Sequence, residues 1–183
     1  MNKYNVTGDE IVALLGRSES DDKVLDLFEK LEIDRSEIER DEIGSYNIID
    51  EKEGLFLTFN TALPVQKGKE EHFGGQSLTG ISFEYTFEPL PYGLKDEYNL
   101  DKIINILEKE PNYIDIDDPS SLHWFYADLG CFSIEFEDET CSSIYTIGVS
   151  PYENPLDRWE STKDEDGISE GDGFSEIIKP FKR

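Results

Sequence analysis

The stretch Tyr46-Asn47-Ile48-Ile49-Asp50-Glu51-Lys52-Glu53-Gly54-Leu55-Phe56-Leu57-Thr58-Phe59 decides the fold class. Two runs rich in β-branched and aromatic residues flank a charged segment ending in glycine, which reads as an antiparallel hairpin. Upstream, Asp9-Glu10-Ile11-Val12-Ala13-Leu14-Leu15-Gly16 predicts a helix with Thr7 or Asp9 as cap and Gly16 as terminator. A second helix starts near Ser20-Asp21-Asp22, whose acids suit a helix N-terminus. Val24, Leu25, Leu27, Phe28 and Leu31 then recur at helical spacing. Downstream, Ile81, Phe83, Tyr85 and Phe87 alternate with Ser82, Glu84 and Thr86, so a strand with one buried and one wet face is expected.

Pro89-Leu90-Pro91-Tyr92-Gly93-Leu94 breaks that strand and opens a second round. A helix from about Asn99 carries Leu100, Ile103, Ile104, Ile106 and Leu107 and stops before Pro111. Strands are expected over 122–126, 131–136 and 144–149, with a turn at 128–130. Both halves thus run helix, acidic loop, aromatic-led strand, turn ending in glycine, strand, loop, strand. The nearest local echo sets Gly54-Leu55-Phe56-Leu57-Thr58-Phe59 beside Gly130-Cys131-Phe132-Ser133-Ile134-Glu135-Phe136. The expected architecture is α+β: two similar helix-plus-antiparallel-strand lobes, 1–88 and 89–150, in one compact unit. Residues 151–183 read as an acidic loop or tail without apolar period, ending in a short closing segment around Phe174, Ile177, Ile178 and Phe181.

The chain has 183 residues, and 42 Asp or Glu against 17 Lys or Arg give a formal charge of −25. Its aromatic content of 12% separates it from disordered acidic chains, which lack the groups whose burial offsets the entropy of ordering. A surface this negative repels phosphates, which argues against nucleic-acid binding. No apolar run approaches the roughly 18 residues of a membrane span, and MNKYNVTGDE lacks a signal-peptide core, so a soluble, cytoplasmic protein is expected. A turn at 137–140 would set Cys131 opposite Thr146 and Cys141 opposite Phe136, too far apart to bridge, leaving two reduced thiols.

Catalytic signatures are sparse. An EF-hand loop fails on register: Gly167 at the sixth position puts Thr162 first and Gly173 twelfth, where carboxylates are needed, and Gly173 at the sixth puts Ile168 first. Asp115-Ile116-Asp117-Asp118 could hold a cation but reads more simply as a solvated loop. His72, His123, Cys131 and Cys141 offer no close pair for zinc. There is no Gly-x-Ser-x-Gly elbow. Gly74-Gly75-Gln76-Ser77 lacks the lysine of a phosphate-binding loop. No metal, cofactor or catalytic residue is assigned.

Acids interleave with aromatics in three places: Glu84-Tyr85-Thr86-Phe87-Glu88, the segment from Trp124 to Asp128, and Glu135 to Glu139. Aromatic anchors ringed by charge suit a protein interface, where the acids steer a basic partner. The charge also exceeds the magnitude of about 2–8 that solubility asks of a small domain. The partner-binding residues expected from sequence are Asp128, Glu135, Glu137, Asp138 and Glu139, with Trp124 and Tyr126 as anchors.

Ile11-Val12-Ala13-Leu14-Leu15-Gly16, Asp21-Asp22-Lys23-Val24-Leu25-Asp26-Leu27-Phe28 and Gly44-Ser45-Tyr46 resemble the opening of small bacterial immunity proteins encoded beside polymorphic toxins of contact-dependent or type VI secretion systems. Pro89-Leu90-Pro91-Tyr92-Gly93-Leu94, followed by a helix and an aromatic strand, resembles the second half of the same group. The resemblance spans roughly residues 9–150. Glu108-Lys109-Glu110-Pro111 departs from the Leu-Gly-x-Pro helix end expected there. The resemblance implies a non-enzymatic protein that binds and occludes a cognate basic toxin, and it carries no transferable active-site residues. A carboxylate- or metal-dependent small hydrolase, and an acidic adaptor or nucleic-acid mimic, stand as alternatives.

Overall fold

The computed structural model describes residues 2–60, 76–115, 118–126, 130–150 and 178–181. The Gly-rich loop with His72, the positions of Asp117 and Asp128, and the expected acidic tail over 151–177 lie outside the described residues. Among the described residues three α-helices, α1 (Gly8–Val12), α2 (Asp22–Lys30) and α3 (Leu100–Leu107), accompany eight strands. These are β1 (Tyr46–Asp50), β2 (Leu55–Asn60), β3 (Ser77–Glu84), β4 (Tyr113–Asp115), β5 (Ser121–Tyr126), β6 (Gly130–Phe136), β7 (Ile144–Ser150) and β8 (Ile178–Pro180). The strands form one antiparallel sheet in the order β1-β2-β3-β7-β6-β5-β4-β8. The fold is therefore mixed α+β and mostly sheet. Each half of the chain contributes a meander, and the meanders meet where β3 pairs with β7.

Local chemistry sets the helix ends. Thr7 and Glu10 form a reciprocal capping box on α1, Glu10 N donating to Thr7 Oγ1 at 3.1 Å and Thr7 N to Glu10 Oε2 at 2.7 Å. This helix is shorter than its sequence predicts, because after Val12 the chain turns so that Gly16 N can donate to Leu78 O at 2.8 Å. Asp21 caps α2 and Asn99 caps α3. The last helix stops at Glu108, whose φ of 52° is left-handed, a conformation glycine adopts at lower cost. The charged connection after α2 is held by Arg40, which reaches Glu19 at 2.8 and 3.4 Å and lies over the Tyr46 ring at 4.5 Å.

Alternation sorts each strand into two faces. Leu55, Leu57 and Phe59 of β2, Ile81 and Phe83 of β3, Ile147 and Val149 of β7, Phe132 and Ile134 of β6, and Leu122 and Trp124 of β5 make one buried face. Phe28 of α2 packs edge-on against Phe59 at 5.4 Å, and Ile103 of α3 joins the same core. Opposite faces of the central strands carry Thr58, Gly80, Ser82, Gly148, Ser133 and His123.

Two sequence expectations are corrected. First, β3 ends at Glu84: Tyr85 N still donates to Tyr145 O at 2.9 Å, but Phe87 N turns back to Glu84 O at 2.9 Å. Phe87 is buried by that turn, and Tyr85 is left 43% exposed. Second, the β6–β7 register places Cys131 opposite Ser150, because the connection runs from Glu137 to Ser143 and Cys141 lies within it at φ 51°. Both cysteines are free thiols. In addition Tyr113–Asp115, to which the sequence assigns no element, is a strand that pairs with both β5 and β8.

Candidate functional site: an acidic, tyrosine-bearing end of the sheet

Two of the three acid-and-aromatic segments meet. Glu84 at the end of β3 and Glu135 near the end of β6 are both cross-strand partners of Thr146 on β7. Partners across strands share a face, so the two carboxylates flank Thr146 on one side of the sheet, about 10 Å apart at the backbone given strand spacings of about 4.8 Å. At the same end but on the other face of β7, Tyr145 points away from Thr146, and its ring lies 6.2 Å from that of Tyr85 at 34°, the two 42% and 43% exposed. Burial and the nearby charge of Asp118 push the Glu135 carboxyl above its ordinary range.

The turn beyond β6 projects further acids. Glu137 N donates to Ser143 O at 3.0 Å, and the Ser143 hydroxyl donates to Glu137 Oε2 at 2.6 Å. Asp138 Oδ1 accepts from Thr140 N at 2.8 Å and from the Thr140 hydroxyl, and Cys141 N donates to Asp138 O at 3.0 Å. Glu137 and Asp138 thus shape the turn as well as charging it. Glu139 stands exposed at its tip.

Next to Tyr85 lies a cleft of about 530 Å³ lined by Tyr85, Glu88, Pro89, Leu90, Gly93, Leu94, Lys95, Asp96 and Glu97. Its walls are braced from two sides. The N-terminal segment grips residues 88–92: Asn2 N donates to Glu88 O at 2.8 Å, Gly8 N to Pro89 O at 3.0 Å, and Tyr92 N to Asp9 Oδ1 at 2.7 Å. On the other side Ile144 N donates to Asp96 O at 2.7 Å, joining the cleft to the start of β7.

The third segment falls elsewhere. Ser121 pairs with Glu135 and Tyr126 with Gly130, so Tyr126 sits at the opposite end of β5, about 17 Å away at roughly 3.4 Å per residue. Trp124 is 0% exposed. Its ring packs on Phe132 at 6.0 Å, and its Nε1–H donates to Lys109 O at 3.0 Å. A side chain this enclosed is a core residue and cannot anchor a partner, which corrects the expectation for Trp124. Tyr126 is partly buried, and Lys109 Nζ lies over its ring at 4.3 Å, so that face is already occupied from within. Sequence reading missed Tyr145, which sits inside an apolar strand, and the cleft, whose lining at 89–94 looked only like a strand break.

Groups suited to covalent chemistry are poorly placed for it. The Cys131 thiol is pushed up to about 12 by burial, and Cys141 is raised by burial and by the charges of Asp138 and Asp118, so both stay protonated. Ser133 pairs with His123 across β6 and β5. Its hydroxyl, however, donates to Gly148 O at 3.4 Å, and His123 Nε2 is buried with no hydrogen-bond partner among the described residues. Burial lowers the His123 pKa against the opposing pull of Asp115. Among the described residues no group of three or more His, Cys, Asp or Glu is arranged to hold a metal ion. No helix among them is long and apolar enough to cross a membrane. Comparison with protein-family profiles, with curated proteins and with solved structures finds nothing that matches the chain.

Proposed function

We propose that the protein is a non-enzymatic immunity protein of a bacterial polymorphic toxin system, acting in the cytoplasm. Its acidic, tyrosine-bearing end would dock on a cognate cationic toxin domain, a nuclease or another intracellular effector, and cover its active site. The observation that carries this reading is the convergence of Glu84, Tyr85, Glu135, Tyr145 and the 137–139 turn at one end of the sheet. Exposed aromatics supply contact area at low entropic cost, and carboxylates at the same end of the sheet accelerate encounter with a positive surface. The same reading takes the halves as a degenerate repeat, each a helix followed by a meander, with no affinity for nucleic acid. Its test is to express the adjacent open reading frame alone and together with this chain. Toxicity alone and rescue together support it; a harmless neighbour, or one this chain fails to neutralise, overturns it. Product formation in a turnover assay would favour the small hydrolase instead.

A further inference from the structure

Resting on that reading, we infer that the cleft beside Tyr85 is the subsite for an arginine side chain of the partner protein. Its lining is of three kinds. Glu88, Asp96 and Glu97 bring three carboxylates against the single ammonium of Lys95, so the cleft favours a cation. Lys95 Nζ is 4.0 Å from Glu97 Oε1 with both side chains largely exposed, a weak contact. Tyr85 offers an aromatic surface at one wall, and Pro89, Leu90 and Leu94 form an apolar wall.

That combination discriminates between the two basic side chains. A guanidinium is planar and weakly hydrated: it stacks on an aromatic face and pairs with carboxylates at its edge, while its three-carbon stem lies along apolar surface. An ammonium is a compact, strongly hydrated charge that gains less from Tyr85 and loses more water on entering. The volume of about 530 Å³ lies within the range of roughly 300–1,000 Å³ of clefts that enclose small ligands, so an arginine enters with the backbone that bears it. Hydrogen bonds from Asn2, Gly8 and Tyr92 on one side, and from Ile144 on the other, hold the walls before the partner arrives.

The test uses the full chain, ¹⁵N-labelled, titrated at low salt with acetyl-Gly-Arg-Gly-amide and with the same peptide carrying lysine or citrulline. Saturable amide shifts confined to Tyr85, Gly93, Leu94 and Asp96 are expected for the arginine peptide. Binding of the lysine peptide should be about threefold weaker or more, and the neutral citrulline peptide should give no saturable shift. Tyr85→Ala should weaken arginine binding about fivefold, and Tyr85→Phe, which keeps the ring face, should restore it. Equal binding of lysine or citrulline, or shifts centred on residues 137–139, overturns the assignment. A cleft that passes while the neighbouring gene product ignores Tyr85→Ala removes the toxin reading alone. A cleft that fails while neutralisation persists removes the subsite alone.

Discussion

Trp124→Phe separates a core tryptophan from a surface anchor. The indole is wholly enclosed on the buried face of β5, and its N–H reaches the Lys109 carbonyl, tying the sheet to the chain leaving α3. Phenylalanine keeps the contact with Phe132 but deletes about three ring atoms, the N–H donor among them. Lost burial at about 0.8 kcal/mol per methylene-sized group gives about 2 kcal/mol, before any cavity penalty. The unpaired Lys109 carbonyl adds about 1 kcal/mol or more. The expected loss is therefore about 3–4 kcal/mol, or about 6–16 °C in Tm at roughly 2–4 °C per kcal/mol for a chain of this size. Urea unfolding followed by circular dichroism measures it as a lower midpoint at unchanged m-value. A loss below about 1 kcal/mol would refute the core assignment. A variant of normal stability that had lost only partner binding would restore Trp124 as an anchor.

Other outcomes are as specific. Glu108→Gly, at the left-handed end of α3, should stabilise the fold by about 0.5–1 kcal/mol, seen as a higher urea midpoint. Gly54→Ala should destabilise by about 1–3 kcal/mol and shift the amides of Tyr85 and Thr86. Its φ is +67°, and an added Cβ would clash with Thr86 Oγ1 and lie 2.9 Å from Glu84 Cβ. His123 has a folded pKa below its ordinary 6.5 because it is buried. Just below pH 6.5 the unfolded chain binds more protons, so the stability from neutral His123 is complete above that value and drains as pH falls through the folded one. His123→Gln should flatten that part of a urea-midpoint profile; an unchanged slope would show that the imidazole does not titrate there. Replacing Glu84, Glu135, Glu137 and Glu139 together by Gln should slow association with the proposed basic toxin about tenfold at low salt, with dissociation changed less than about twofold. Stopped-flow kinetics at two ionic strengths would check this, and an unchanged association rate would move the interface elsewhere.

Much of the fold was legible because it is encoded over short distances. The hairpin of β1 and β2, the cap Thr7 and the body of α3 from about Asn99 each depend on neighbours a few residues away, where pattern and turn chemistry act directly. Failures came where distant groups compete. Alternation in Ile81-Ser82-Phe83-Glu84-Tyr85 could not reveal that the strand stops at Glu84, since beyond Tyr145 the Ile144 N–H is given to the distant Asp96 carbonyl while Phe87 N turns back to Glu84 O. Tyr113–Asp115 carries too little pattern to announce a strand, and it becomes one by lying between β5 and β8.

The sequence alone determined the large negative charge, the α+β composition and the interleaving of acids with aromatics, all properties of residue identity and local order. Tertiary structure decided which of those segments share a surface. Pairing β3 with β7 and β7 with β6 brings Glu84, Glu135, Tyr85 and Tyr145 to one end and forms the cleft beside them, while the direction of β5 carries Trp124 into the core and Tyr126 to the far end. The physical reason is that a side chain's exposure follows from which strands lie beside its own and in what register, and that pairing minimises the energy of the whole sheet at once.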